Sequence, residues 1–157
     1  ILPEPQALLT EAAKMPGLDG QKMSKSYRNT IGLREEPDSV TTKMKRMPTD
    51  PARVRLSDPG NPEKCPVWQF HEVYSDPKTK DWVRQGCISA GIGCLECKQP
   101  VIDAVIAEQD QIIARAAPYD ENPDMVRSIL IEGAEKAEDD ARQTLNEVRQ
   151  AMGLSYR

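Results

Sequence analysis

The segment ENPDMVRSILIEGAEKAEDDARQTLNEVRQAMG, residues 121–153, is the clearest helix in the sequence. Asn122 can cap its start, Pro123 suits its first position, and Gly153 is typical of a residue that ends a helix. Apolar and small side chains recur along it at helical spacing: Val126, Ile129, Leu130, Gly133, Ala137, Ala141, Leu145, Val148 and Met152. This helix favours an all-α fold, and an aromatic content of only 4% argues against a β-sandwich.

Other helical patterns lie upstream of this segment. Residues 94–119 predict a second long helix, which we expect to form an antiparallel hairpin with the first. Residues 66–75 and 79–90 predict a pair of helices ahead of it. Residues 7–15 have the pattern of a short helix that Pro16 ends.

Residues 35–47 predict one more short helix, in which Asp38 is the expected cap. Val40, Met44 and Met47 recur at helical spacing and are expected to face a core. The stretch that follows, residues 48–66, contains five prolines and predicts a proline-stiffened connector in place of a long regular element.

Charge is distributed unevenly along the chain, although the formal net charge is only −4. Residues 14–55 carry ten Lys and Arg against five Asp and Glu, whereas residues 56–157 carry eleven against eighteen. The basic stretch indicates phosphate-bearing partners, and the acidic stretch argues against a large nonspecific electrostatic contact with nucleic acid. No apolar run is long enough to span a bilayer and no secretory signal is recognisable, so we expect a cytoplasmic protein without a membrane partner.

Residues 17–33, GLDGQKMSKSYRNTIGL, predict a loop that carries two lysines three residues apart, Lys22 and Lys25. Ammonium groups neutralise phosphate charge, and glycine and serine let a backbone approach a ligand closely. Such a loop accelerates a reaction only if its contacts tighten as charge develops in the transition state. The alternative is a solvated lysine turn, which is the commoner explanation of a KxxK string alone.

The string KMSKS, residues 22–26, resembles the second signature loop of class I aminoacyl-tRNA synthetases. Its continuation MSKSYRNTIGL is similar to that of bacterial-type tryptophanyl-tRNA synthetases, and NPDMVRSILIEGAEKAEDDARQTLNEVRQAMGL resembles the C-terminal helix of that family. The other class I signature, His-x-Gly-His, is absent from the sequence, whose single histidine is His71. Since the first residue is Ile1 and not methionine, we expect the C-terminal portion of such a synthetase.

The resemblance implies an enzyme that joins tryptophan to ATP and then transfers the aminoacyl group to tRNA(Trp). Lys25 is expected to meet the phosphates as pyrophosphate leaves, with assistance from Lys22. The full set of expected ATP-binding residues is Lys14, Met15, Lys22, Met23, Ser24, Lys25 and Ser26. ATP is expected to act with Mg²⁺, and the full-length protein is expected to be a homodimer. Because the tryptophan pocket belongs to the missing half, the chain alone is expected to be inactive.

These expectations divide the chain into three parts. Residues 1–36 are expected to form the edge of a missing Rossmann-like catalytic domain and to carry its KMSKS loop. Residues 37–64 are expected to be a connector with a short helix and a proline-rich stretch. Residues 65–157 are expected to be an all-α domain of the anticodon-binding type, with a four-cysteine site and the long helical hairpin.

Four cysteines follow the connector with the spacing C-x21-C-x6-C-x2-C: Cys65, Cys87, Cys94 and Cys97. Buried free thiols are one explanation, and a disulfide pair is disfavoured in the cytoplasm. Four cysteines without a spare also match an all-thiolate metal site. A subset of bacterial tryptophanyl-tRNA synthetases carries a [4Fe–4S] cluster on a very similar pattern, so the resemblance implies such a cluster, with zinc as the alternative.

Lys98 and Gln99 follow the CxxC motif directly and are candidates for contact with the tRNA anticodon, or else form an ordinary exposed first turn. Two competing interpretations of the chain are the tail of a tyrosyl-type synthetase and a non-catalytic iron–sulfur RNA-binding module. The NTIGL continuation and the cysteine pattern argue against the first. The KMSKS loop argues against the second, because a pure binding module has little use for a pyrophosphate loop.

Overall fold

The protein consists of α-helices and connecting segments in a computed structural model that describes residues 2–9 and 14–154. The helices are α1 (Pro37–Arg46), α2 (Pro66–Tyr74), α3 (Pro77–Ile88), α4 (Cys94–Glu121) and α5 (Pro123–Ala151). Across the described residues no strand is present, and the one β-type pairing is an isolated antiparallel bridge between Pro16 and Lys22. The predicted all-α fold is confirmed.

The chain divides into two units, residues 9–114 and residues 1–8 together with 115–157. The larger unit contains the lysine loop, the four cysteines, α1 to α3 and the first part of α4. The smaller unit contains the end of α4 and all of α5. The three functional parts expected from the sequence stay a prediction.

Proline occupies the first position of four helices: Pro37, Pro66, Pro77 and Pro123. The fixed φ of proline suits this position, where its missing N–H group is not needed. Asn122 caps α5 as predicted, because its Oδ1 accepts a hydrogen bond from the backbone N–H of Met125 at 3.1 Å.

Two local expectations are wrong. Glu36 holds the cap position of α1 without a side-chain capping bond, and Asp38 lies inside the first turn. The reason is Pro37, whose fixed φ suits the first position of a helix, so that the cap falls on Glu36, two residues before Asp38. The helix predicted over residues 7–15 is not found in residues 7–9 and 14–15, and its remaining residues lie outside the described part of the chain. Residues 7–9 are exposed, so no packed face offsets the cost of starting a short helix there.

A hydrophobic core joins α1, α2 and α4 within the larger unit. Val40, Met44 and Met47 lie in it and are at most 3% exposed, as predicted. Their buried partners from the other two helices are Val67, Phe70, Val101, Ile102 and Val105. This core fixes the segment after the lysine loop to the helices that carry the cysteines.

The apolar stripe of α5 is exposed. No described residue of α5 is buried, and Ile129, Leu130, Ile131 and Leu145 are between 46% and 67% exposed. The hairpin of α4 and α5 stays a prediction. None of the helices in the described residues combines the length and the apolarity that a bilayer crossing requires.

Candidate functional site

The approach to the lysine loop is a tight turn. Pro16 and Lys22 pair across it as an antiparallel bridge, and the N–H of Gly20 donates to the carbonyl of Gly17 at 2.9 Å. Gly20 adopts φ +80, a conformation that favours glycine. The two ends of the turn are therefore held together just before the first lysine side chain.

Asn29 fastens the loop to this turn from inside, where its side chain is 3% exposed. Its Nδ2 donates to Asp19 Oδ1 at 2.7 Å and to the Lys22 carbonyl at 3.2 Å, while its Oδ1 accepts from the Ser24 N–H at 2.8 Å. A Cβ atom on Gly17 would collide with the Asn29 amide, so glycine is required for this packing. The hydrogen bond from Asn29 lowers the pKa of Asp19, which keeps that carboxylate ionised.

The second lysine lies in a short 3-10 turn, Lys25–Tyr27. The Ser24 hydroxyl caps this turn by accepting from the Ser26 N–H at 3.3 Å. The turn closes at Arg28, which has φ 53 and donates its N–H to the Lys25 carbonyl at 3.2 Å. Ser24 therefore shapes the loop by capping this turn.

Both lysine side chains point away from this framework. Lys22 and Lys25 are exposed, and neither ammonium group bonds any residue that the structure describes. Lys14 is exposed as well, whereas Met15 is half-buried and accepts the N–H of Met23 at its carbonyl, at 3.4 Å. The loop thus presents two free cations on a base that is hydrogen-bonded and partly buried, which suits a polyanionic ligand.

The four cysteines line one small cavity, whose volume is about 20 Å³. Cys65 directly precedes α2, Cys87 lies in the last turn of α3, and Cys94 and Cys97 lie in the first turn of α4. All four are free thiols. In the described part of the chain, however, no three His, Cys, Asp or Glu side chains are arranged closely enough to hold a metal ion.

The connector reaches the cysteine cavity through the buried side chain of Asp50 and the half-buried side chain of Arg53. Asp50 accepts hydrogen bonds from the N–H groups of Ala52 at 3.0 Å and Asn61 at 2.7 Å. Arg53 lines the cavity and donates from Nη2 to the Ile92 carbonyl at 2.6 Å. These bonds fold the proline-rich stretch against the turn between α3 and α4.

Gly60 completes this approach. Its N–H donates to the Cys87 carbonyl at 2.9 Å, and a Cβ atom at this position would lie only 2.6 Å from Cys87 Sγ. The connector therefore passes close enough to α3 to bring Cys65 and Cys87 to the same cavity.

Three of the four thiols are in surroundings that favour their neutral form. Burial raises the pKa of Cys65, Cys87 and Cys97, and the neighbouring cysteines add to the effect, so that the pKa of Cys97 is raised to about 12. Cys97 Sγ lies 3.5 Å from Nε2 of His71, which is fully buried and also bonds Ser75 Oγ at 2.8 Å. His71 is thus a buried histidine whose two ring nitrogens both have partners.

The two anticodon candidates have different surroundings. Lys98 is only 3% exposed, and its ammonium group donates to the carbonyls of Lys45 at 2.8 Å and Met47 at 2.6 Å at the end of α1. A contact with a base would require these bonds to break. Gln99 is exposed and donates to Asp103 Oδ1 at 2.7 Å.

Sequence reasoning missed Asn29, Asp50 and Arg53. Asn29 stands in the NTIGL continuation, but nothing in the string indicates that its amide fastens the loop. Asp50 stands in a proline-rich stretch, where an aspartate side chain often accepts a hydrogen bond from the backbone two residues further on. That turn signal could have identified Asp50. The role of Arg53 depends on a carbonyl 39 residues away, which no local pattern encodes.

A match to a family of known proteins identifies the class of this protein. Residues 1–108 match the family described as tRNA synthetases class I (W and Y). The chain belongs to this family.

The individual relatives are tryptophan–tRNA ligases. The chain is 61% identical over 156 residues to the enzyme of Ralstonia nicotianae, and 44% identical over 158 residues to that of Thermotoga maritima. These alignments cover 99% of this chain but only 39% and 48% of the relatives. The crystal structure of Campylobacter jejuni tryptophanyl-tRNA synthetase complexed with ADP and tryptophan is also similar. It is 26% identical with a TM-score of 0.73, over 90% of this chain and 44% of that one.

Proposed function

We propose that the complete protein is a tryptophan–tRNA ligase, which activates tryptophan with ATP and transfers it to tRNA(Trp). The observation that carries this proposal is the lysine loop, which holds two exposed and unpaired ammonium groups on a fastened base. The 61% identity to the Ralstonia ligase across nearly the whole chain supports the choice of tryptophan. The ADP and tryptophan bound in the Campylobacter enzyme support the same two ligand classes.

The loop acts in the first step of this reaction. The Ser24 N–H donates to the Asn29 side chain, and this bond closes the loop at both ends of residues 25–28. The turn that carries Lys25 can therefore shift while Ser24 and Asn29 stay in place. Lys25 binds the β- and γ-phosphates most strongly as pyrophosphate departs, and Lys22 assists from the start of the loop. Mg²⁺ bound with ATP would neutralise part of the phosphate charge beside the two lysines.

The adenine binds beside the backbone of Lys14 and Met15. The hydrogen bond between the Met15 carbonyl and the Met23 N–H keeps this backbone next to the loop. Met23 and Ser26 contribute the loop backbone that approaches the nucleotide.

The helical part serves the tRNA. Gln99 is exposed at the start of α4 and is the better of the two candidates for a hydrogen bond to an unstacked anticodon base. Lys98 acts indirectly, because its ammonium group ties α4 to the end of α1. The complete protein works in the cytoplasm as a homodimer.

We also propose that Cys65, Cys87, Cys94 and Cys97 hold a [4Fe–4S] cluster, with a single zinc ion as the alternative. The donor set fits, because four thiols and no other cysteine line one cavity. Burial raises the pKa of Cys87, and the guanidinium of Arg53 offsets part of this rise. When bound, the group cross-links the connector to α3 and α4.

Exchange of pyrophosphate with ATP tests the proposed activity. The protein expressed from the complete reading frame is assayed with tryptophan and, separately, with tyrosine. We expect exchange that depends on tryptophan. Exchange that depends on tyrosine would favour the tyrosyl-type alternative, and no exchange with either amino acid would contradict the proposal.

A further inference from the structure

We propose that the larger unit contains a binding site for a small, neutral aromatic molecule that donates one hydrogen bond. A cavity of about 150 Å³ lies between the base of the lysine loop and helices α2 and α4. Its wall is apolar and includes Met15, Met23, Ile31, Phe70, Val105 and Ile112. A cavity of roughly 150 Å³ with such a lining accommodates a single benzene ring in a well-studied engineered protein.

Gln109 gives this mostly apolar cavity a buried polar atom without a hydrogen-bond partner among the described residues. The side chain lines the cavity and is only 5% exposed. Its Nε2 donates to the Gly32 carbonyl at 2.7 Å, which fixes the orientation of the amide. Its Oε1 is buried and accepts no hydrogen bond from the described residues. Because a buried acceptor without a partner is costly, a ligand that supplies an O–H or N–H donor is favoured over one that does not.

The charge around the cavity determines which ligands are excluded. Glu108 lies at the lining and accepts the Tyr74 hydroxyl at 2.8 Å, which together with burial raises the pKa of Tyr74 to about 12. Among the described lining residues, Glu108 is the one charged group, and there is no lysine or arginine. An anion such as a phosphate or a carboxylate is therefore disfavoured, which separates this site from that of ATP.

The site adjoins the lysine loop without being part of its phosphate-binding groups. Met23 belongs to the KMSKS string, and its side chain packs against the core and lines the cavity. A bound ring would therefore contact the loop from its buried side. The ligand class is a phenol or a small N–H heterocycle.

Phenol and toluene provide the test, because they have similar size and differ in the donor. Each is titrated into the complete protein labelled with ¹³C at the methionine methyl groups, and the shifts of Met15 and Met23 are followed by NMR. We expect saturable shifts with phenol and an affinity for phenol about threefold to tenfold above that for toluene. Benzoate should bind more weakly than phenol, and millimolar ATP should not displace phenol.

Two variants on α4 assign the preference to Gln109. In Gln109→Leu the ratio of the two affinities should fall to about one, whereas Gln111→Leu, at an exposed position on the same helix, should keep it. If Gln109→Leu does not fold, the affinities of the unaltered protein for phenol and toluene decide the question. Equal affinity of the unaltered protein for the two ligands, or the absence of saturable shifts with phenol, would overturn the proposal. Failure of tryptophan-dependent exchange would leave this result unaffected.

Discussion

At the scale of single residues, the lysine loop contains two kinds of side chain: exposed ones that are available to a ligand, and a buried one that stabilises the backbone. Lys22 and Lys25 are exposed, whereas Asn29 is buried and makes three hydrogen bonds to the turn and loop. The string KMSKS was enough to predict the lysines as candidates. The role of Asn29 was not predictable, because it depends on the path of the backbone at Asp19 and Ser24.

Replacing Asn29 by leucine should destabilise the larger unit. The change leaves the Lys22 carbonyl and the Ser24 N–H without their partner, which should lower the free energy of unfolding by about 1–3 kcal/mol. Urea denaturation followed by circular dichroism measures the effect. Asn146→Leu on exposed α5 is the matched control and should change stability by less than about 0.5 kcal/mol. Equal stability of the two variants would show that Asn29 does not fasten the loop.

At the scale of elements, the turn between α3 and α4 has a strained residue. Ala90 adopts φ 58, a left-handed conformation that glycine adopts without penalty. The turn places Cys87 and Cys94 on either side of it, and Gly91 donates to the Gly86 carbonyl at 2.8 Å. The strain is thus maintained where the chain reverses direction between two of the cysteines.

Ala90→Gly should stabilise the protein. Relief of the left-handed strain should exceed the entropy cost of glycine and leave a net gain of about 0.5–1 kcal/mol. Ala137→Gly in exposed, helical α5 should have the opposite sign, because glycine lowers helix stability there. The urea concentration at the midpoint of unfolding is measured for each variant and compared with that of the unaltered protein. A destabilising Ala90→Gly would mean that the turn gains more from alanine than its φ angle suggests.

The helix starts were more predictable than the helix environments. Pro66 and Pro123 fix where α2 and α5 begin, because proline fits the first position and little else in a helix. The environment of α5 was not predictable in the same way. The helical spacing of its apolar residues predicts a stripe along one face of α5. That spacing does not specify which surface the stripe contacts.

At the scale of the whole molecule, the sequence predicted that the four cysteines would meet, and the structure brings them to one cavity. It does not bring three or more metal-binding side chains of the described residues to ligand positions. A CxxC motif in the first turn of a helix is a local feature. The approach of Cys65 depends on Arg53 and Gly60, which sequence reasoning did not connect to it.

Metal analysis tests the cluster. Anaerobically purified chain should be brown and contain about four irons and four sulfides. Replacing Cys97, which packs against a small buried cluster of Trp68, Val83 and Ile92, by serine should remove the colour. Colourless protein with one zinc ion would contradict the cluster and retain a metal site. Protein without bound metal under both iron and zinc supplementation would contradict both.

The 157-residue chain should not activate tryptophan by itself. It carries the lysine loop but no His-x-Gly-His string, and it spans 39% of the Ralstonia ligase. The purified chain should show no tryptophan-dependent exchange of pyrophosphate, measured beside the complete protein at equal concentration. Exchange by the chain alone would mean that it contains a complete activation site.

In the proposed reaction, Lys25 is the group that stabilises departing pyrophosphate. Single-turnover formation of tryptophanyl-adenylate by the complete protein measures this directly, with Lys136→Ala on exposed α5 as the control. Lys25→Ala should reduce the rate about 100-fold to 1,000-fold and leave the dissociation constant for tryptophan nearly unchanged, because the contact forms in the transition state. A rate close to that of the control variant would contradict the role of Lys25.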